Sequence, residues 1–149
     1  MKKQQGFSLI ELLIVVGIIA ALSAIAVPAY VNKQKIAEFN SGLASGRALL
    51  TRLDLYLDEN SGSTASKFGE KLGDATNLGE LATVTVSGAS EEGGEGENAK
   101  GTELKVTFNG NSSIDGTIIT FEKNDFAWVC KYTTKETFED GEIKGCKKA

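Results

Sequence analysis

One carboxylate, Glu11, stands inside an apolar run near the start of the chain. Between Phe7 and Val27 the polar residues are Ser8, Glu11 and Ser23, and only Glu11 ionises. An isolated carboxylate in an apolar environment is strongly unfavourable unless it is protonated or paired with a cation. No Lys or Arg lies within this run. The sequence therefore predicts that Glu11 is either protonated or paired with a group that the side chains of the run do not supply.

Two cysteines form a second distinctive pair. Cys130 and Cys146 are the only cysteines among 149 residues, and both lie far from the apolar run. An even pair in an exported domain usually forms a disulfide, and two reduced thiols are the alternative. A disulfide would place this part of the chain outside the cytoplasm. By closing a loop of about 15 residues, it would stabilise the fold by about 3 kcal/mol in the chain-entropy model.

Composition argues against several classes of function. The chain has no His, which removes the commonest general base and the commonest transition-metal ligand. With a formal charge of -4, the chain has no general electrostatic attraction for nucleic acid. Four glutamates lie among glycines in the linker 88–101, but nothing there fixes ligand geometry, and we expect a solvated hairpin tip. We therefore expect no catalysis, no cofactor, no metal site and no specific nucleic-acid site.

The element that must position Glu11 is a helix able to cross a membrane. The 21 residues from Phe7 to Val27 would span about 31 Å as a helix, close to the thickness of a bilayer's hydrocarbon core. An ordinary secretory signal peptide, cut after Ala26, is an alternative reading. Against it stand Glu11 and an apolar periodicity that continues beyond Ala26.

After the apolar run the pattern remains helical to about residue 58. Apolar residues recur at spacings of three and four from Ile36 to Leu57, which predicts one long helix whose second half is packed. Pro28 removes a backbone donor and predicts a kink. Residues 59–81 read as an irregular connection, with a short helical turn near residues 67–72.

The rest of the chain alternates as strands do. Residues 82–87, 102–109, 116–122 and 126–132 are rich in β-branched and aromatic residues. Linker 88–101 separates the first two runs, and short turns separate the last three. These runs predict a four-stranded antiparallel sheet, with one face covering the helix and the other polar. The fold class is therefore α+β, with a C-terminal loop bounded by the two cysteines.

The string Gly6-Phe7-Ser8-Leu9-Ile10-Glu11-Leu12, with Pro28 on the same helix, resembles the N-terminal signature of type IV pilins of the IVa subclass. The resemblance implies a leader peptide 1–6, which a prepilin peptidase removes between Gly6 and Phe7, and N-methylation of Phe7. It implies a transmembrane and assembly helix 7–31 and a globular head 32–149.

Within that head the resemblance and the patterns together give helix 32–58, connecting loop 59–81, sheet 82–132 and disulfide loop 130–146. In this family the disulfide-bounded loop is an exposed recognition surface. Glu11 would contact the Phe7 amine of a neighbouring subunit and so set the register of assembly. The segment before Pro28 would be able to lose helicity in a filament.

The expected function is that of a major pilin, moved from the inner membrane, where the precursor passes once, into an extracellular filament. Expected partners are other copies of the chain, prepilin peptidase, the pilus assembly machinery in the inner membrane, membrane lipid before assembly, and a surface or host receptor. Adhesion, twitching motility and DNA uptake are family roles among which the sequence does not choose. Alternatives are a minor pilin, a type II secretion pseudopilin, and a secreted soluble binding module.

Overall fold

The computed structural model of the chain describes residues 6–60, 63–73, 77–88, 101–124, 127–138 and 143–149. Within them the chain forms two helices and a six-stranded sheet in sequence order. The elements are α1 (Leu9–Glu59), α2 (Ala65–Leu72), β1 (Asn77–Leu78), β2 (Ala82–Ser87), β3 (Glu103–Phe108), β4 (Ile118–Lys123), β5 (Trp128–Thr133) and β6 (Lys147–Lys148).

The expected count of four strands was wrong, because two short strands flank the predicted four. β1 pairs antiparallel with β2, and β6 pairs parallel with β5. Each has only two residues, too few for the alternation by which a strand is recognised in sequence. The four long strands form the predicted antiparallel meander.

The chain divides into two compact units, Met1–Gln34 and Lys35–Ala149. The described part of the first unit is the start of α1, and its large apolar side chains are exposed. The second unit has a hydrophobic core between the remainder of α1, helix α2 and one face of the sheet.

The core of the second unit follows from the helical stripe seen in the sequence. The α1 residues buried there recur at helical spacing and are Phe39, Gly42, Leu43, Gly46, Leu49, Leu50 and Leu53. Two of them are glycines because the sheet approaches closely. A Cβ built on Gly46 would lie 2.5 Å from Cε2 of Phe121, and one built on Gly42 would overlap the ring of Phe108.

The connection between α1 and β2 is more ordered than the sequence predicted. Helix α2 begins at Ala65, two residues before the predicted turn, and buries Ala65, Phe68 and Leu72 against the core. Phe68 also contacts the ring of Tyr56 on α1, with 5.4 Å between centroids. The sequence did not predict the full helix, because only three apolar residues define its buried face and the others are small or polar.

The strands alternate as expected between a buried and an exposed face. Leu104, Val106 and Ile119 are fully buried against α1 and their neighbours along the strands are not. The predicted strand 126–132 begins at Phe126, which lies outside the described residues.

Candidate functional site

Glu11 is held at the start of α1 by a hydrogen bond within its own chain. Ser8 precedes the helix, and its backbone N–H donates to Glu11 Oε2 at 2.8 Å. The Ser8 carbonyl accepts from the backbone N–H of Glu11 at 3.1 Å. The carboxylate therefore satisfies one of the amides that a helix N-terminus leaves without a partner, as the acidic residue of a capping box does.

The sequence prediction missed this role of Ser8. A Ser followed three residues later by Glu, directly before an apolar run, is itself a helix-start pattern, and Ser8 and Glu11 satisfy it. The negative charge also lies at the positive end of the helix dipole, which favours it further. The structure brings Ser8 and Glu11 together, whereas the contact between Glu11 and the Phe7 amine of another copy stays a prediction.

Gly6 and Phe7, the predicted cleavage residues, precede the helix in irregular backbone. Phe7 is 83 % exposed, and a Cβ built on Gly6 would meet no atom within 4 Å. Gly6 and Phe7 are therefore both exposed within the described part of the chain. Cleavage and N-methylation at Phe7 stay predictions.

The first part of α1 presents apolar side chains on every side of the helix. Leu9, Ile10 and Ile25, for example, are 83 %, 65 % and 76 % exposed. Among the described residues α1 is the one helix long and apolar enough to cross a membrane. So large an apolar surface is stable only when lipid or other helices cover it.

Pro28 lies inside α1 without ending it. The ring leaves the carbonyl of Ala24 without its usual donor. A turn earlier, Ser23 Oγ donates to the carbonyl of Ile19 at 2.8 Å, a bond that competes with the helix ladder. The helix ladder is therefore weakened at the carbonyls of Ile19 and Ala24, five residues apart. The kink at Pro28 stays a prediction.

The second unit contains the predicted disulfide between Cys130 and Cys146, with the Cα atoms 4.7 Å apart. The bond attaches the C-terminal residues to β5. Arg47 on α1 donates to the carbonyl of Gly145 at 2.9 Å, and the N–H of Ala149 donates to the carbonyl of Tyr132 at 2.9 Å. The C-terminal segment is thus held by α1 and the sheet together.

The earlier part of the disulfide loop is held by charge and by aromatic contacts. Lys35 on α1 and Glu136 form an ion pair of 2.6 Å. The Phe39 ring meets those of Tyr132 and Phe138 edge to face, at 5.1 and 5.7 Å between centroids. Four exposed or half-exposed residues, Lys131, Thr133, Lys135 and Thr137, alternate along this stretch, so it presents a polar surface to solvent.

The described residues contain no group of three or more His, Cys, Asp or Glu that could hold a metal ion. The acidic linker 88–101 is described only at its two ends, and its four glutamates lie outside the described residues. The prediction of a solvated hairpin tip there is therefore not tested.

Comparison with known proteins gives two kinds of match. Residues 1–27 match the family described as the prokaryotic N-terminal methylation motif. This match includes Gly6, Phe7 and Glu11 and ends one residue before Pro28. It agrees with a precursor that is anchored in the membrane by its apolar helix.

Curated relatives cover most of the chain. The type IV major alpha-pilin of Moraxella bovis is 34 % identical, with 88 % of this chain and 87 % of that protein covered. Fimbrial protein Q of the same organism is 33 % identical, with 87 % of each chain covered. A fimbrial protein of Pseudomonas aeruginosa is 34 % identical over 92 % of this chain and 91 % of its own.

These likenesses extend through the head as well as the motif, since the motif alone covers residues 1–27. These matches confirm the sequence resemblance. The structure confirms the predicted fold class, apart from the number of strands. The chain belongs to the type IV pilin family.

Proposed function

We propose that the mature chain is the major structural subunit of a type IV pilus. The observation that carries this is the bare apolar start of α1, on a chain whose remaining residues form a separate unit with its own core. Such a helix is stable in lipid before assembly and in a bundle of identical helices afterwards. A relative that is named a major alpha-pilin supports the same role.

Processing precedes assembly in this proposal. Prepilin peptidase removes the leader 1–6 between Gly6 and Phe7, and the new Phe7 amine is methylated. The membrane and assembly segment is then 7–31 and the head is 32–149. Because Lys2 and Lys3 leave with the leader, the formal side-chain charge of the mature chain becomes 14 minus 20, or -6.

Cleavage also creates a new cation close to Glu11 in the sequence. The Phe7 amine would lie four residues before Glu11, about one helical turn away in the same chain. In a staggered array the amine of one copy instead meets the Glu11 carboxylate of the next. The hydrogen bond from Ser8 holds that carboxylate at the N-terminal end of the helix, which is the end that carries the new amine. The pairing would set the register of assembly.

Repetition of one such head-to-tail contact builds a filament, because heterologous contacts that do not close into a ring continue without limit. The precursor is a single-pass protein of the inner membrane and the product is extracellular. Partners are other copies of the chain and prepilin peptidase, together with the assembly machinery and membrane lipid. A surface or host receptor would contact the disulfide loop 130–146. We expect no catalytic activity.

Mass spectrometry of filaments sheared from the cell surface tests the proposal. We expect an abundant chain that begins with N-methylated Phe7. A chain that begins at Val27 and is found in the soluble fraction would contradict it and indicate a secreted binding module. A correctly cleaved chain present at a few copies per filament would indicate a minor pilin, and its absence from surface filaments would indicate a pseudopilin.

A further inference from the structure

The face of the sheet turned away from α1 carries its charges in two parallel rows. In the first row Lys105, Thr120 and Lys131 are register partners across β3, β4 and β5, and Lys147 on β6 continues the row. In the second row Glu103 lies directly opposite Glu122.

The two rows are two residues apart along each strand, which is about 7 Å. We call the surface formed by Glu103, Lys105, Glu122 and Lys131 the charge-striped face.

Burial shows that all four side chains lie on the outer face. Their strand neighbours Leu104 and Phe121 are buried in the core against α1, and successive residues of a strand point to opposite faces. The four charged side chains are 26–46 % exposed. The rest of this face on β2 to β5 is uncharged and rich in threonine.

Within one copy each row partly neutralises the other. Lys105 Nζ lies 2.7 Å from Glu103 Oε2, and Lys131 Nζ lies 2.7 Å from Glu122 Oε2. Glu103 and Glu122 nevertheless face each other directly, and like charges in register are unfavourable. Each carboxylate and each ammonium group keeps an exposed side to which a second opposite charge could bind.

We propose that the charge-striped face is a self-complementary contact surface for a second copy of this chain on a neighbouring filament. In this contact the faces of two copies lie against each other. If the two-fold axis that relates them lies in the plane of contact and runs parallel to the rows, the lysine row of each copy lies over the glutamate row of the other. An axis perpendicular to the rows would place lysine over lysine, so the pattern selects one orientation. The inference rests on the proposed function, since it requires filaments.

The contact is useful only in a filament. One exposed ion pair contributes little, because water and salt screen it. A filament repeats the face once per subunit, so many weak contacts add along two adjacent filaments, as in any multivalent interaction. Because the mature chain carries a net negative charge, filaments repel one another in general. The local charge complementarity of this face would overcome that repulsion.

Charge exchange on the full-length protein tests the proposal. One variant carries Lys105→Glu with Lys131→Glu, and the other carries Glu103→Lys with Glu122→Lys. Sheared filaments are examined at about 0.1 M and 1 M salt, where the screening length falls from about 10 to about 3 Å, by low-speed pelleting and electron microscopy. We expect wild-type filaments to bundle at the lower salt only, each variant alone to lose bundling, and an equal mixture of the two variants to bundle again.

The matched control is Lys67→Glu with Lys144→Glu, which makes the same change in net charge at exposed lysines outside the face. Equal loss of bundling in this control, a mixture that stays dispersed, or dispersed wild-type filaments would each overturn the proposal. If a reversed variant makes no filaments, replacement of all four residues by Gln is used instead, and unchanged bundling would overturn it. Absence of wild-type filaments would refute the proposed function itself.

Discussion

Ser112 Oγ donates a hydrogen bond of 2.6 Å to Glu38 Oε2, which joins the loop between β3 and β4 to α1 across 74 residues of sequence. The backbone N–H of Ser113 donates to the same oxygen at 2.8 Å. Ser112 is buried, and its Oγ also accepts from the N–H of Ile114 at 3.2 Å. One carboxylate on the helix therefore satisfies polar groups of a loop that packs into the core.

Replacing Glu38 by Ala should lower the free energy of unfolding of the head by about 1–3 kcal/mol, because partly buried donors lose a charged acceptor. Chemical unfolding of the detergent-solubilised chain, followed by Trp128 fluorescence, measures the loss. Glu70→Ala, at an exposed position of α2, is the control. A loss no larger than that of the control would show that the loop does not depend on Glu38.

Gly46→Ala should destabilise the head although Ala favours helix. The gain in helix propensity is about 1 kcal/mol, but the new Cβ would lie 2.5 Å from the Phe121 ring, and overpacking costs about 1–3 kcal/mol. Ser41→Ala, on the exposed side of the same helix, should change stability little. Both are compared by thermal unfolding, and a higher melting temperature for Gly46→Ala would contradict the close approach.

Removal of the disulfide by Cys130→Ser with Cys146→Ser should lower the free energy of unfolding by about 2–4 kcal/mol, since the cross-link restricts the unfolded chain. Urea unfolding of the wild type with and without reductant is the comparison. Reductant should shift the wild-type midpoint and leave that of the double variant unchanged. A wild-type midpoint that reductant does not move would contradict the prediction.

Glu80→Gly should stabilise the turn between β1 and β2. Glu80 has a φ of 62°, in the left-handed region, and it follows Gly79 with a φ of 57°. A side chain costs about 1–2 kcal/mol in this conformation, and glycine removes that strain at some cost in unfolded-state entropy. Glu70→Gly within α2 should instead lower the stability of the head, because glycine disfavours helix. The melting temperatures of both variants and the wild type are compared by thermal unfolding. A lower melting temperature for Glu80→Gly would refute the prediction.

Glu11→Ala should leave export and leader cleavage intact and reduce assembly, because the variant lacks the carboxylate that would pair with the Phe7 amine. Ser8→Ala is the control, since its backbone N–H is unchanged and still able to meet Glu11. Immunoblots of whole cells and of sheared filaments separate processing from assembly. Normal filament yield from Glu11→Ala would remove Glu11 from the mechanism.

Much of the architecture could be predicted from the sequence. Residues that are buried against a core recur with a regular spacing in the sequence. This spacing predicted the apolar stripe of α1, which contains Phe39 and Leu53, and the four long strands. The N-terminal motif is equally local, because Gly6, Phe7 and Glu11 lie within six residues. The pairing of Cys130 with Cys146 needed only their number and compartment.

The two strands and the helix that the sequence prediction missed have a common physical cause, which is that each is too short to show a period. β1 and β6 have two residues each and therefore no period. Helix α2 has a three-residue apolar face among polar residues. The cap that Ser8 and Glu11 form is different, because a Ser followed three residues later by Glu is a local helix-start pattern.

The order of residues is enough to show where the chain is apolar and which end carries the methylation motif, because these properties belong to neighbouring residues. Three features become visible only in the folded chain: the hydrogen bond between Ser112 and Glu38, the close approach of Phe121 to Gly46, and the two charged rows across separate strands. Each of these depends on the register between segments far apart in the chain. Register is set by the packing of the whole core and leaves no local pattern to read.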